Sequence, residues 1–166
     1  MIAAMRATTE QLFSKLTDLG IKTETHTHPP VFTVEESKAL CGDLPGGHCK
    51  NLFLKDKKGI LWLVVAHEDR PIDMKSLRHL IGSHHLSFGK ADLLGDVLGV
   101  EPGSVTPFAL INDTETSVRV VLDKEMMDLE LLNYHPLCNT MTTAISPENL
   151  LVFIRSCGHE PDIVAL

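Results

Sequence analysis

Two apolar runs joined by a short polar link constrain this chain more than any other feature. Leu52-Phe53-Leu54 leads through Asp56-Lys57-Lys58-Gly59 into Ile60-Leu61-Trp62-Leu63-Val64-Val65-Ala66, and such runs across a Gly-containing link predict a β-hairpin. The first run is entered from a Pro45-Gly46-Gly47 turn through His48-Cys49-Lys50-Asn51, so Lys50 and Asn51 fall at the start of a largely buried strand. A charged head there costs free energy unless it meets an anion or a carboxylate. The alternative is a lysine that runs its stem along the apolar surface and keeps its ammonium in water. If Lys50 and Asn51 alternate across the strand they leave it on opposite faces, unless a bulge or the Gly46-Gly47 turn re-aims one.

Around the hairpin, helices and strands alternate irregularly. Thr8-Thr9-Glu10-Gln11 opens a first helix with a capping-box pattern, Leu12, Leu16 and Leu19 share one face, and Gly20 stops it. Residues 21–27 read as a half-exposed strand ended by Pro29-Pro30, and Thr33-Val34-Glu35-Glu36 opens a short helix that ends near Cys41-Gly42. Asp73 caps a helix through Leu77, Leu80 and Ile81, and a further helix over about 91–98 closes at Gly99. Phe108 to Asn112 and Ser117 to Leu122 read as strands of a second hairpin across Asp113-Thr114-Glu115-Thr116. Ser146-Pro147-Glu148 starts the last helix, Gly158 ends it, and Asp162 to Ala165 reads as a terminal strand. Hairpin strands interrupted by helices make an α+β fold with a mainly antiparallel sheet.

The 166 residues, 43% hydrophobic and without a Pro- or Ser-rich linker, fit one domain with its own core. No apolar stretch is long enough to span a bilayer and Met1 to Gln11 lacks a signal-peptide core, so a soluble cytoplasmic protein without a membrane partner is expected. Cys41, Cys49, Cys138 and Cys157 show no C-x-x-C spacing and are expected reduced. A formal charge of -7 argues against a protein that coats nucleic acid by bulk attraction, and DNA is not an expected partner. Eight of the 15 basic residues nevertheless lie between His48 and Lys90, against four acidic ones, leaving seven basic and 18 acidic residues elsewhere. A locally basic face on an acidic body suits a polyanion held at one edge, and an ordinary solvated surface accounts for it about as well. The chain carries no Walker loop, dinucleotide glycine pattern or G-x-S-x-G elbow.

Three segments in register carry a resemblance. His48-Cys49-Lys50-Asn51-Leu52-Phe53-Leu54, Gly103-Ser104-Val105-Thr106-Pro107 and His135-Pro136-Leu137-Cys138-Asn139 resemble the Lys-Asn-Leu-Phe strand, the G-x-x-x-P loop and the H-P-x-x-N segment of the YbaK/prolyl-tRNA synthetase-associated editing domains. The likeness extends over nearly the whole chain, including Phe32-Thr33-Val34-Glu35-Glu36 and Ser146-Pro147-Glu148-Asn149-Leu150. Within that family the chain looks most similar to the free-standing bacterial ProX type, which hydrolyses alanine mischarged on proline tRNA. The resemblance implies a curved, barrel-like mixed sheet flanked by helices, and a deacylase without metal or other cofactor. It also implies mischarged tRNA, through its 3′ CCA end and acceptor stem, as partner, with prolyl-tRNA synthetase as a further partner. The chemistry agrees with the absence of a catalytic triad. An aminoacyl ester is already activated and has a ribose hydroxyl beside it, so positioning of ester and water does most of what is needed.

Under this resemblance Lys50 anchors the 3′-terminal phosphate or sugar as a compact point charge, and Asn51 holds the substrate backbone or orders the water. Gly103 and Pro107 line the aminoacyl group with backbone, and Phe32, Thr33 and His135 bound the pocket. Asn139 supports them as a turn residue beside the site. Read as ordinary structure, the Gly103 to Pro107 segment is a helix-to-strand connection rich in turn formers. Arg70, Lys75, Arg78 and Lys90 face either the acceptor stem or plain solvent. His26-x-His28 and His84-His85 have no third ligand in sight and are expected at the surface or against tRNA, with no metal. Deacylation of cysteinyl- or seryl-tRNA within the same family, and a non-catalytic tRNA- or synthetase-binding module, stand as the alternative functions.

Overall fold

The computed structural model describes residues 6–30 and 46–166. The short helix expected from Thr33 to about Cys41-Gly42, with Phe32 and Thr33, lies outside the described residues. The first helix, α1 (Thr9–Asp18), is set by its cap: the Thr8 hydroxyl accepts from the Gln11 amide while the Gln11 side chain accepts from the Thr8 amide. Leu12 and Leu16 are fully buried on one face, and Gly20, at φ +73°, turns the chain back. Strand β1 (Glu24–Thr27) follows.

The expected hairpin is present as β2 (Gly47–Asp56) and β3 (Leu61–His67), antiparallel with Cys49 opposite His67 and Lys55 opposite Leu61. Its link is held from within. One Asp56 carboxylate oxygen accepts from the amides of Lys58 and Ile60, and the other accepts from His84. Burial pushes this carboxyl up, but the Ile60, His84 and Lys58 N–H groups outweigh it and hold it below the usual carboxylate range.

Helix α2 (Met74–Ile81) begins at the Asp73 cap and ends at left-handed Gly82. After β4 (Leu86–Phe88), helix α3 (Ala91–Leu98) ends at left-handed Gly99. Strands β5 (Val118–Asp123), β6 (Leu132–Tyr134) and β7 (Met141–Ile145) precede α4 (Pro147–Ser156), capped by the Ser146 hydroxyl, and β8 (Asp162–Val164). The sheet runs β1-β7-β6-β2-β3-β5-β8, with β4 attached to β2 off this path. Among the described residues four pairings are antiparallel (β1 with β7, β2 with β3, β2 with β4, β6 with β7) and three are parallel (β2 with β6, β3 with β5, β5 with β8). This is the mixed α+β architecture expected.

One strand expectation fails. Pro107–Asn112 forms 3-10 turns rather than a strand, and β5 pairs in parallel with β3 and β8 instead of closing a second hairpin. The Thr106 hydroxyl caps the turn by accepting from Phe108, and Pro107 has no N–H to offer a ladder. Phe108, Ala109 and Leu110 are buried all round, so their apolar run carries no period that would distinguish turn from strand.

Alternation along β2 and β3 divides the interior. Phe53, Leu63 and Val65 join α1, α3, α4 and the 107–112 turns in one cluster. Leu54, Trp62 and Val64 join Leu77 of α2 and Leu86 in another, on the opposite face. No helix among the described residues is long and apolar enough to cross a membrane.

Candidate active site

The site begins at β2. β6 pairs with β2 at Gly47 and His48, and β4 pairs with it at Leu54 to Asp56, while β3 takes Cys49 to Lys55 on the other edge. Gly89 donates to the Phe53 carbonyl and extends the β4 contact by one residue. Between the two partners, no described strand pairs with Cys49 to Leu52 along this edge of β2. Gly46 and Gly47 make the junction with β6 possible: at Gly46, φ +98°, an added Cβ would lie 2.9 Å from the Leu131 carbonyl oxygen. The Gly47 amide donates to that same oxygen at 2.8 Å, which seats His48 opposite Asn133.

A cavity of about 30 Å³ lies at this edge, lined by His48, Cys49 and Asn51 of β2, Asn133 and Tyr134 of β6, His135 beyond it, and Thr142 of β7. That volume holds about one or two water molecules. Two buried polar atoms on its wall, Oδ1 of Asn51 and Nε2 of His48, have no hydrogen-bond partner. Such atoms cost free energy until a ligand or water meets them.

Three ionisable groups around the cavity, Cys49, Tyr134 and His135, are held neutral. Burial pushes the Cys49 thiol up to about 12, and burial likewise raises the Tyr134 phenol far above its ordinary value. Burial lowers the His135 imidazole, against the raising effect of the Met141 carbonyl. That carbonyl can only accept, so Nδ1 of His135, 2.9 Å away, carries the proton and Nε2 is left as an acceptor. His28 bonds through Nδ1 to the Pro29 carbonyl and through Nε2 to the Thr142 hydroxyl. Its ring lies 6.1 Å from that of His135. The arrangement is a small, hydrogen-bonding pocket in which neither the Cys49 thiol nor the Tyr134 phenol is an activated nucleophile.

A family model for the aminoacyl-tRNA editing domain matches residues 28–153. The chain belongs to the aminoacyl-tRNA editing domain family. It is 40% identical over 167 residues to "Prolyl-tRNA synthetase associated domain-containing protein 1" of Bos taurus, covering 98% of this chain and 95% of the relative. It is 36% identical over 151 residues to "Prolyl-tRNA editing protein ProX" of Acetoanaerobium sticklandii, covering 90% and 92%. A solved structure described as a candidate trans-editing enzyme for prolyl tRNA synthetase shares the fold, with a TM-score of 0.69 at 17% identity over 95% of this chain and 97% of that one.

Within this editing domain the residues expected from sequence do not all meet. Asn51 and His135 line the cavity; Lys50, Gly103, Pro107 and Asn139 are not among its lining residues. Lys50 leaves β2 on the face opposite Asn51, and its ammonium donates to the Arg70 carbonyl. Gly103 sits in the 3-10 turn Pro102–Ser104, and Pro107 is buried at the head of the next turn. Asn139 is half-buried in the turn between β6 and β7, where Leu137 adopts φ +70°. The loop is tied to α1 through Thr9, whose hydroxyl donates to the Pro136 carbonyl at 2.7 Å.

The four basic residues also separate. Arg70 is engaged by the carboxylates of Asp123, at 3.0 Å, and Glu125, and by the Leu166 carbonyl. Lys75 and Arg78 lie on α2, and Lys90 lies at the start of α3. Among the described residues no group of three or more His, Cys, Asp and Glu side chains could hold a metal ion.

His48, Asn133, Tyr134 and Thr142 also line the pocket and are not among the residues the sequence points to. His48 stood two residues before Lys50 in the motif strand, which is the signal that could have raised it; Tyr134 and Thr142 arrive by pairing of distant strands. Cys49 offers a direct test. A thiol that far up is protonated at neutral pH and is no nucleophile. Wild-type Cys49 is therefore expected to react with iodoacetamide more slowly than an ordinary exposed thiol, which peptide mapping after alkylation checks.

Proposed function

We propose that this protein is a trans-editing deacylase that hydrolyses the ester of mischarged proline tRNA, with alanine as the preferred acyl group. The observation that carries this reading is the small cavity on which Asn51 Oδ1 and His48 Nε2 stand without partners. A synthetase pocket built for proline rejects the smaller alanine by only about 1–3 kcal/mol, so fidelity requires a second site that admits the smaller side chain alone. A cavity with room for about one or two waters suits a methyl group. The names of the Bos taurus and Acetoanaerobium sticklandii relatives, which point to prolyl-tRNA synthetase and prolyl-tRNA editing, support the tRNA.

In this proposal Asn51 accepts a donor of the substrate or of the attacking water, and neutral His135, with Nε2 as acceptor, orients the same water. Lys50 exchanges the Arg70 carbonyl for the terminal phosphate, a change its four-carbon stem permits and its charge favours. Phe32, Thr33, Gly103, Pro107 and Asn139 bound the aminoacyl group on the strength of the motif resemblance, and prolyl-tRNA synthetase is the protein partner. Because His135 is held neutral, activity should be flat through neutral pH and fall on acidification, when Nε2 takes a proton.

The deciding experiment presents alanyl-, cysteinyl-, seryl- and prolyl-tRNA, each with the proline anticodon, and follows loss of the acyl group. Fast loss of alanine with prolyl-tRNA spared is the expected result. Cleavage of the cysteinyl or seryl ester alone moves the assignment to that substrate. Turnover of none, with tRNA still bound, means a binding module.

A further inference from the structure

The face of β2 that carries Asn51 continues to Phe53 and Lys55. Phe53 is closed over by Gly89, where an added Cβ would lie 2.3 Å from the ring. Lys55 emerges beyond it, exposed, and borders a surface groove of about 690 Å³. The groove has walls of opposite sign. Lys55, Lys57 and Lys90 line it with ammonium groups, Asp92 and Asp96 line it with carboxylates from α3, and Phe88 lines it with its ring 65% exposed. β4, which carries Phe88, pairs only with β2 among the described residues.

Each part matches one part of a single-stranded nucleic acid. Lysines meet phosphates, an exposed ring provides a stacking platform worth about 1–3 kcal/mol per base, and carboxylates accept the exocyclic amino groups that cytosine and adenine carry and uracil lacks. The spacing also fits. Four residues of strand from Asn51 to Lys55 rise about 13 Å, the length of about four stacked nucleotides. The chain's formal charge of -7 makes a built groove necessary, since the body as a whole repels a polyanion.

We propose that this groove holds the unpaired 3′ strand of the tRNA whose terminal ester reaches the cavity, with phosphates on Lys55, Lys57 and Lys90, a base on Phe88, and cytosine or adenine amino groups on Asp92 and Asp96. The assignment rests on the deacylase reading above. It excludes α2, which lends the groove no lining residue, so that Lys75 and Arg78 take no part.

Binding of uncharged tRNA, measured across a salt series, tests it. The triple variant Lys55→Gln, Lys57→Gln, Lys90→Gln is expected to weaken binding at least tenfold at about 0.1 M salt and to flatten the slope of log K against log salt by about 2. Phe88→Ala should weaken binding without changing that slope, and Lys75→Gln with Arg78→Gln should change neither. The wild type should prefer an ACCA-ended strand to an ACUU-ended one, and Asp92→Asn with Asp96→Asn should lose the preference. A triple variant with unchanged affinity and slope, or an equal loss from the α2 pair, overturns the proposal. Hydrolysis of alanyl-tRNA is followed separately. Its absence in the wild type sinks the deacylase reading, while the tRNA-binding series still decides the groove.

Discussion

Asn51→Ala is expected to lower kcat for alanyl-tRNA hydrolysis by about 10²–10³-fold, the usual cost of losing one oriented hydrogen-bonding group at a reacting centre. The folded protein should tolerate the change, because Asn51 Oδ1 has no partner within the protein and its removal leaves no buried group newly unpaired. Lys50→Ala should behave differently. Its ammonium donates to the Arg70 carbonyl on the other face of β2, so under the proposed mechanism its loss weakens anchoring of the 3′ phosphate and appears mainly as a raised KM. Single-turnover and steady-state kinetics on both variants separate the two roles. An Asn51→Ala enzyme with wild-type kcat would remove the cavity from the chemistry, and a fully active Lys50→Ala enzyme would remove the anchor.

The second large effect concerns stability. Asp113 is 4% exposed and accepts four ways inside the fold: its carboxylate takes the amides of Ser117 and Val118, each at 2.9 Å, and Nε2 of the buried His159 at 2.8 Å, while its own turn closes through the Thr116 amide to the Asp113 carbonyl. These bonds lead the chain out of the 107–112 turns into β5 and pin it to the segment after α4. Asp113→Ala leaves buried donors without acceptors and is expected to cost about 3–5 kcal/mol, read as a lower urea midpoint at unchanged m. Burial pushes this carboxyl up, but His159 and the Ser117 and Val118 amides hold it below the usual carboxylate range. A folded-state value below the unfolded one means a contribution fully present above about pH 4 and lost as pH falls through the folded value. The wild type should therefore lose this part of its stability only in acid, and Asp113→Asn should flatten that limb of the stability–pH curve. An Asp113→Ala protein with the wild-type urea midpoint would contradict this role.

The elements that were legible in the sequence have local determinants. The Thr8 and Gln11 capping box, the Asp73 cap, the Ser146-Pro147 start and the β2–β3 hairpin each depend on residues a few positions apart. Strands β6 and β7, of three and five residues, carry too little alternation to announce themselves, and β4 is equally short. They exist because distant partners satisfy their backbones. The Phe108 to Asn112 segment reads as a strand for a related reason: burial of Phe108, Ala109 and Leu110 removes the period on which the distinction between strand and turn depends.

The same division runs through the site. The motif strand by itself determined that Lys50 and Asn51 stand together at the entrance of a buried strand, and the family followed from motifs in register. Only the tertiary structure decided that the two side chains part across the sheet, because alternation along β2 is physical while adjacency in sequence is not contact. It also decided that, among the described residues, β6 and β4 leave part of one edge of β2 unpaired, and that Tyr134 and Thr142 arrive there from strands more than 80 residues further along the chain. A pocket is a property of pairings between remote segments, and those pairings are set by burial and backbone hydrogen bonding throughout the fold rather than by any short run of residues.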